Sequence, residues 1–149
     1  MTWMCRITFT LVALKETIMT NWLRLVLAFI VGAHGLGHIL FLVPLLGFAD
    51  WGQSTHSWLL GNSWLAKGLG SVIWLVALVG FAAVTISLFQ STNWWRTIAI
   101  GAAAVSTLGL LLFWSAPASS PVISALVFNL LVLGSLLILH WPPLTQPTG

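Results

Sequence analysis

Residues 22–46 read WLRLVLAFIVGAHGLGHILFLVPLL, and this stretch decides the fold. Apart from Arg24, His34 and His38, it consists of apolar residues, glycines and one proline. A helix needs about 20 apolar residues to cross the hydrocarbon layer of a membrane. The stretch is long enough to do so and predicts a transmembrane helix. It also raises a question, because two imidazoles lie where apolar side chains are expected.

The composition extends this interpretation to the whole chain. It has 149 residues, of which 59% are hydrophobic and only 5% are charged, and its mean hydropathy is +1.05. Soluble domains carry about 25% charged residues, so this chain has too little charge to cover a water-facing surface. We therefore predict an integral membrane protein with the lipid bilayer as its first partner. Nucleic acid is not an expected partner, because the net charge is only +3.

Three more stretches resemble the first in length and apolar character, and short polar segments separate them. The sequence therefore predicts an all-α fold, an antiparallel bundle of four transmembrane helices in a single domain over residues 19–149. Residues 1–18 stand apart, because their apolar part is too short to span; they are either an interfacial segment or a non-native start. The predicted spans are residues 22–46, 65–89, 95–114 and 121–140.

The distribution of Lys and Arg predicts the orientation. Arg6, Lys15, Arg24 and Arg96 fall on one side of the four spans, and only Lys67 falls on the other. Positive side chains are enriched on the cytoplasmic side of membrane proteins. We therefore expect a multi-pass protein of the cell membrane, a bacterial inner membrane, with both termini in the cytoplasm.

The two histidines share one face of the first span. Residues four apart lie on the same side of a helix, so His34 and His38 form a stripe. Small residues beside such a stripe let neighbouring helices approach closely, which turns the stripe away from lipid. A similar small-residue face is expected in the third span. The glycines predicted to pack closely are Gly35, Gly37, Gly101 and Gly109.

Other polar residues lie at a similar depth in the later spans. Ser106 and Thr107 are near the middle of the third, and Asn129 is near the middle of the fourth. An imidazole in hydrocarbon needs hydrogen-bond partners, and these residues are within about two helical turns of His34 along the bilayer normal. We predict a polar layer of these three residues with His34 and His38, in which His38 bonds the Asn129 layer. The layer either fixes helix register or contacts a ligand.

A haem or metal site at the histidine pair is the alternative. Haem held by two histidines needs them on facing helices, whereas His34 and His38 share one helix. A haem ligated once, or shared across a homodimer, stays open. The pair is also a good two-ligand metal unit, but a metal site needs three or four ligands and the spans contain no Asp, Glu or Cys. The single Cys5 excludes a multi-cysteine site.

Transport and catalysis have less support in the sequence. A proton-coupled exporter would need a carboxylate within the membrane, and the spans have none, so a small permease is the third hypothesis. No nucleophile and base can be paired from the sequence, since such sites are recognised by geometry. We therefore expect no enzyme and predict no catalytic residue.

Short motifs in each span carry a resemblance. They are His34-Gly35-Leu36-Gly37-His38 with Phe41, then Trp74, then Trp94-Trp95-Arg96 with Ser106 and Trp114, and finally Asn129. Over residues 21–140 the chain resembles an uncharacterised group of small bacterial four-helix membrane proteins with an H-G-x-x-H motif in the first helix. The resemblance implies this fold and this location, and it implies no activity or ligand.

These patterns lead to one predicted function and its alternatives. We expect a small non-enzymatic membrane protein, either an accessory subunit or a binder of a lipid or quinone-like ligand beside the histidine layer. A haem- or metal-binding redox protein that uses His34 and His38 is the alternative. A homodimer or a larger membrane complex is the expected assembly.

Overall fold

A computed structural model describes residues 2–114, 119–142 and 144, and the side chains from residue 18 onward within these ranges. Residues 115–118, 143 and 145–149 of the predicted domain lie outside the described residues. The described part is helical, with loops between the helices. Its helices are α1 (Thr2–Gly37), α2 (Ile39–Leu45), α3 (Trp64–Phe89), α4 (Trp95–Leu112) and α5 (Ser120–Leu137).

Four segments of the described chain are long and apolar enough to cross a membrane, which confirms the all-α class and the predicted number of apolar helices of that length. Helix α4 ends two residues before the predicted end of the third span, and α5 ends three residues before that of the fourth. Residues 2–21 continue the helix of the first span toward the N-terminus. The four segments are Ile18–Leu45, Trp64–Phe89, Trp95–Leu112 and Ser120–Leu137.

The first span is interrupted at His38, between α1 and α2. The backbone N–H of His38 donates to the carbonyl of Gly35 at 3.1 Å, which is a tighter turn than the α-helix makes. Pro44, farther along α2, has no N–H and cannot continue the regular hydrogen-bond pattern. The interruption turns the Gly35 carbonyl into an acceptor for groups of His38, a role that a regular helix would not give it.

Helix α3 is central, since it packs against α1, α2 and α4, while α5 packs mainly against α4. The buried apolar side chains form two clusters: one around Phe81 and Val84, and one around Trp74 and Leu110. Large apolar side chains cover the outside as well, such as Phe29 at 77% exposure. An apolar exterior of this kind suits lipid, because large apolar patches are rare on soluble proteins.

Two of the four glycines that the sequence predicts to pack closely do lie at close helix contacts. A Cβ atom on Gly35 would be 2.8 Å from the Cβ of Phe81, and one on Gly109 would be 2.7 Å from a side chain of α3. Gly37 and Gly101 differ from the prediction, because a Cβ atom on either would meet nothing within 4 Å. Gly101 is exposed and Gly37 borders a cleft, so neither glycine lies at a close contact between two helices.

The loop between α2 and α3 closes the end of α4. The hydroxyl of Ser57 donates to the carbonyl of Leu112 at 2.8 Å, and the indole N–H of Trp58 donates to that of Leu111 at 2.7 Å. The last carbonyls of a helix have no partner within the helix, so these bonds satisfy them. The loop thereby fixes the end of the helix that carries Ser106.

Candidate functional site

Four of the five polar side chains predicted to form a layer are hydrogen-bonded to one another. His34 Nε2 is 3.0 Å from Asn129 Oδ1, and Asn129 Nδ2 donates to Ser106 Oγ at 2.7 Å. Ser106 Oγ is in turn 2.7 Å from His38 Nε2. Ser106 and Asn129 are fully buried, and His38 is 2% exposed. His38 therefore reaches Asn129 through Ser106, and the layer joins the first span to α4 and α5.

Thr107 is not part of this layer. Its hydroxyl donates to the carbonyl of Ala103 in its own helix at 2.7 Å. Successive helical residues are rotated by about 100°, so Thr107 points away from the face that Ser106 presents. The two residues differ by only about 1.5 Å along the helix axis, and rotation about that axis separates them.

The hydrogen bonds of the layer run in one direction. His38 Nδ1 is 3.1 Å from the Gly35 carbonyl, which only accepts, so Nδ1 carries the hydrogen of the neutral ring. His38 Nε2 then has a lone pair, and the Ser106 hydroxyl donates to it. Ser106 accepts from the Asn129 amide, whose oxygen accepts from His34 Nε2–H. Each group thus donates a hydrogen bond to the next one, in the order His34, Asn129, Ser106, His38 and the Gly35 carbonyl.

The second nitrogen of His34 is the open end of this chain. Because Nε2 carries the hydrogen of the neutral ring, Nδ1 has a lone pair. Among the residues whose side chains are described, none forms a hydrogen bond with this nitrogen. Phe128 stacks on one face of the His34 ring, with centroids 4.0 Å apart, and Phe81 meets the ring edge-on at 4.9 Å. These rings hold the imidazole in place.

A half-open cleft of about 290 Å³ lies beside His34, between the first span and the beginning of α5. One wall belongs to α1 and α2, and the other belongs to α5. Apart from the two imidazoles and one hydroxyl, its lining side chains are apolar. The lining consists of His34, Gly37, His38, Leu40, Phe41, Pro121, Ser124, Ala125 and Phe128.

Four residues of α5 line this cleft, and sequence reasoning missed two of them that matter for its chemistry, Ser124 and Phe128. They are four residues apart and share one helix face, and Phe128 directly precedes Asn129. Ser124 donates its hydroxyl hydrogen to the carbonyl of Pro121 at 3.1 Å. Phe128 also lines a second, almost entirely apolar cavity of about 150 Å³, farther along the seam between α1 and α5. The seam therefore offers a polar site next to an apolar one.

The donor atoms of the layer do not form a ready metal site. Within the described part of the chain, no three His, Cys, Asp or Glu side chains lie close enough to hold one ion. Both nitrogens of His38 are engaged, with Gly35 and Ser106, and only Nδ1 of His34 is open. A metal held by both histidines would break at least one buried hydrogen bond, which costs about 1–3 kcal/mol for the group left unpaired.

Comparisons with protein-family models, with curated proteins and with solved structures gave no significant match. The resemblance to small four-helix membrane proteins therefore stays a prediction.

Replacing Ser106 with alanine should destabilise the protein more than replacing its neighbour Thr107 with valine. Ser106→Ala leaves His38 Nε2 without a donor and Asn129 without an acceptor, both in a buried site. The expected loss in the free energy of unfolding is about 1–3 kcal/mol. Thr107→Val removes only a bond within α4. Reversible unfolding in mixed detergent micelles measures both, and an equal loss for the two variants would contradict the layer.

Proposed function

We propose that this protein is a non-enzymatic integral membrane protein that binds a membrane-soluble ligand, lipid or quinone-like, in the cleft beside His34 and His38. The position of His34 carries the proposal: it lines the cleft, and its Nδ1 has no hydrogen-bond partner among the described residues and is not one of their buried unpaired atoms, so its lone pair is accessible. Binding sites for small molecules combine apolar walls with a few polar groups that fix orientation. Polar groups within membrane spans are also expensive and often functional.

The position of the cleft supports a ligand that enters from the bilayer. The cleft lies between two segments that are long and apolar enough to cross a membrane, so we expect its opening to face lipid rather than water. The apolar cavity on the same seam, lined by residues such as Leu27 and Leu131, has room for part of an apolar tail. Phe128 borders both spaces and would contact head and tail.

The geometry of the Ser106–His38 pair supports binding rather than catalysis. The hydroxyl donates to the imidazole at 2.7 Å, as a nucleophile does to its base. Ser106 is fully buried, however, and does not border the cleft, so a bound molecule could not approach its oxygen. The Asn129 amide, which could stabilise a developing charge, already donates to that same oxygen. The pair therefore acts as a structural link in this proposal.

The proposed topology is an antiparallel bundle in the cell membrane with both termini in the cytoplasm. Only residues 90–94 connect α3 to α4, and such short connections favour antiparallel neighbours. Arg24 near the start of the first span and Arg96 near this connection stand against Lys67 near the start of α3, in keeping with the predicted charge asymmetry. The side chains of Arg6 and Lys15 lie outside the described residues.

Reporter fusions test the topology. Alkaline phosphatase, which is active only outside the cytoplasm, should be inactive when fused after Gly149 and active when inserted after Gly61. Green fluorescent protein fused after Gly149 should fluoresce. An active phosphatase at the C-terminus would reverse the proposed orientation.

Photolabelling tests the proposed binding site. We expect a farnesol analogue that carries a diazirine to label residues of the cleft when the protein is embedded in phosphatidylcholine nanodiscs. Gly37→Leu should fill the cleft and reduce this labelling severalfold. Gly101→Leu is the matched control, because both are helical glycines whose added Cβ would meet nothing within 4 Å, and Gly101 does not line the cleft. Mass spectrometry of peptides measures the labelled positions.

Two outcomes would count against this site. If Gly37→Leu and Gly101→Leu reduce the labelling equally, the cleft does not bind the probe. If the label spreads over the exposed face of α3 as strongly as over the cleft, the protein only dissolves the probe in its annulus of lipid.

A further inference from the structure

Of the three polar side chains that line the cleft, two keep a free acceptor and none keeps a free donor. The ring N–H of His38 donates to the Gly35 carbonyl, and its other ring nitrogen accepts from Ser106, so His38 has no donor or acceptor left for a ligand. His34 uses its hydrogen on Asn129 and retains the lone pair of Nδ1. Ser124 uses its hydrogen on the Pro121 carbonyl and retains lone pairs on its oxygen.

This polarity follows from the whole layer and not from one ring. The Gly35 carbonyl cannot donate, so the hydrogen of His38 is fixed on Nδ1. Because His38 Nε2 then has only a lone pair, the Ser106 hydroxyl must donate to it. Ser106 can therefore only accept from Asn129, so the amide nitrogen of Asn129 must face Ser106. The amide oxygen must then face His34 and accept from it. His34 cannot turn its hydrogen toward the cleft without leaving Asn129 unpaired.

From this we infer that the cleft selects a ligand whose head donates a hydrogen bond, namely a hydroxyl on an apolar body, over a matched ligand that only accepts. The inference rests on the proposed binding function and narrows its ligand class. A lipid alcohol or a quinol has this chemistry, whereas an ether, an ester or an oxidised quinone lacks it. The hydroxyl donates to His34 Nδ1, and the apolar body contacts Phe41, Ala125 and Phe128.

The expected selectivity comes from an acceptor that is otherwise unpaired. A ligand that cannot donate leaves His34 Nδ1 without a partner. Sites built for a hydroxyl reject analogues that lack it for this reason. One net hydrogen bond corresponds to roughly three- to tenfold in affinity. Apolar contacts do not discriminate within a matched pair, since its members share the same tail.

Competition against the photolabel tests the inference with two matched pairs in the same nanodiscs. The first pair is farnesol and farnesyl methyl ether, and the second is a decyl-substituted benzoquinol and its quinone, kept anaerobic. The donor should displace the label from the cleft at roughly three- to tenfold lower concentration than its partner in at least one pair. Preference confined to the first pair identifies a lipid alcohol, and preference confined to the second identifies a quinol.

Variants then assign the acceptor. His34→Leu should bring the ratio within the preferred pair to about one, while Gly101→Leu should keep the wild-type ratio. The ratio is measured within one protein, so a moderate loss of affinity or stability does not obscure it. If His34→Leu does not fold, the wild-type ratios alone still decide the inference.

The outcomes separate this inference from the proposed function. The donor requirement is wrong and the binding site stands in two cases, both with the cleft labelled. In the first, the ether and the quinone each compete as well as their donor partners. In the second, the donors do not compete. If wild-type protein shows no cleft labelling that Gly37→Leu removes, the binding function itself is wrong.

Discussion

The hydroxyl of Ser106 is the group on which the rest of the site depends. It donates to His38 of the first apolar segment and accepts from Asn129 of α5, both at 2.7 Å, so one oxygen joins three of the four segments that could span a membrane. In hydrocarbon no water can replace a missing partner, and each polar group in the interior must find one within the protein. A serine supplies one donor and two acceptor sites, which lets it connect an imidazole to an amide.

The interruption of the first span gives this chain its direction. At His38 the backbone tightens by one residue, and the Gly35 carbonyl accepts both the N–H and the ring Nδ1–H of His38. Gly35 also packs against Phe81 without room for a Cβ atom, which holds the first span against α3. An anchored acceptor at one end of the chain leaves a lone pair at the other end, on His34. Helix packing thereby determines the chemistry that the cleft presents.

Much of the fold could be predicted from the sequence, because a membrane span needs only length and apolar character. The depth of each polar residue along its span also follows from residue counting, which was enough to bring Ser106 and Asn129 to the histidines. Depth alone does not separate Ser106 from Thr107, because rotation about the helix axis turns the Thr107 hydroxyl to the Ala103 carbonyl of its own helix and away from the layer. Spacing of small residues did not distinguish Gly109, which is at a helix contact, from Gly101, which is not.

The lateral order of the helices could not be read from the sequence. Ser124 and Phe128 line the cleft because α5 lies beside the first span without packing closely along it, an arrangement that no local pattern encodes. The interruption at His38 was also missed, since glycines occur in membrane helices without breaking them. The position of α5 and the interruption at His38 both depend on which side chains meet across helices. Together they leave His34 Nδ1 without a hydrogen-bond partner beside the cleft.

The tautomers of the two histidines test this account most directly. Nitrogen-15 NMR of histidine-labelled protein in nanodiscs, assigned with His34→Leu and His38→Leu variants, distinguishes a nitrogen that carries hydrogen from one that does not. The account predicts opposite neutral tautomers, with hydrogen on Nε2 of His34 and on Nδ1 of His38. The same tautomer at both positions, or hydrogen on Nδ1 of His34, would contradict the directional chain and the acceptor that it presents to the cleft.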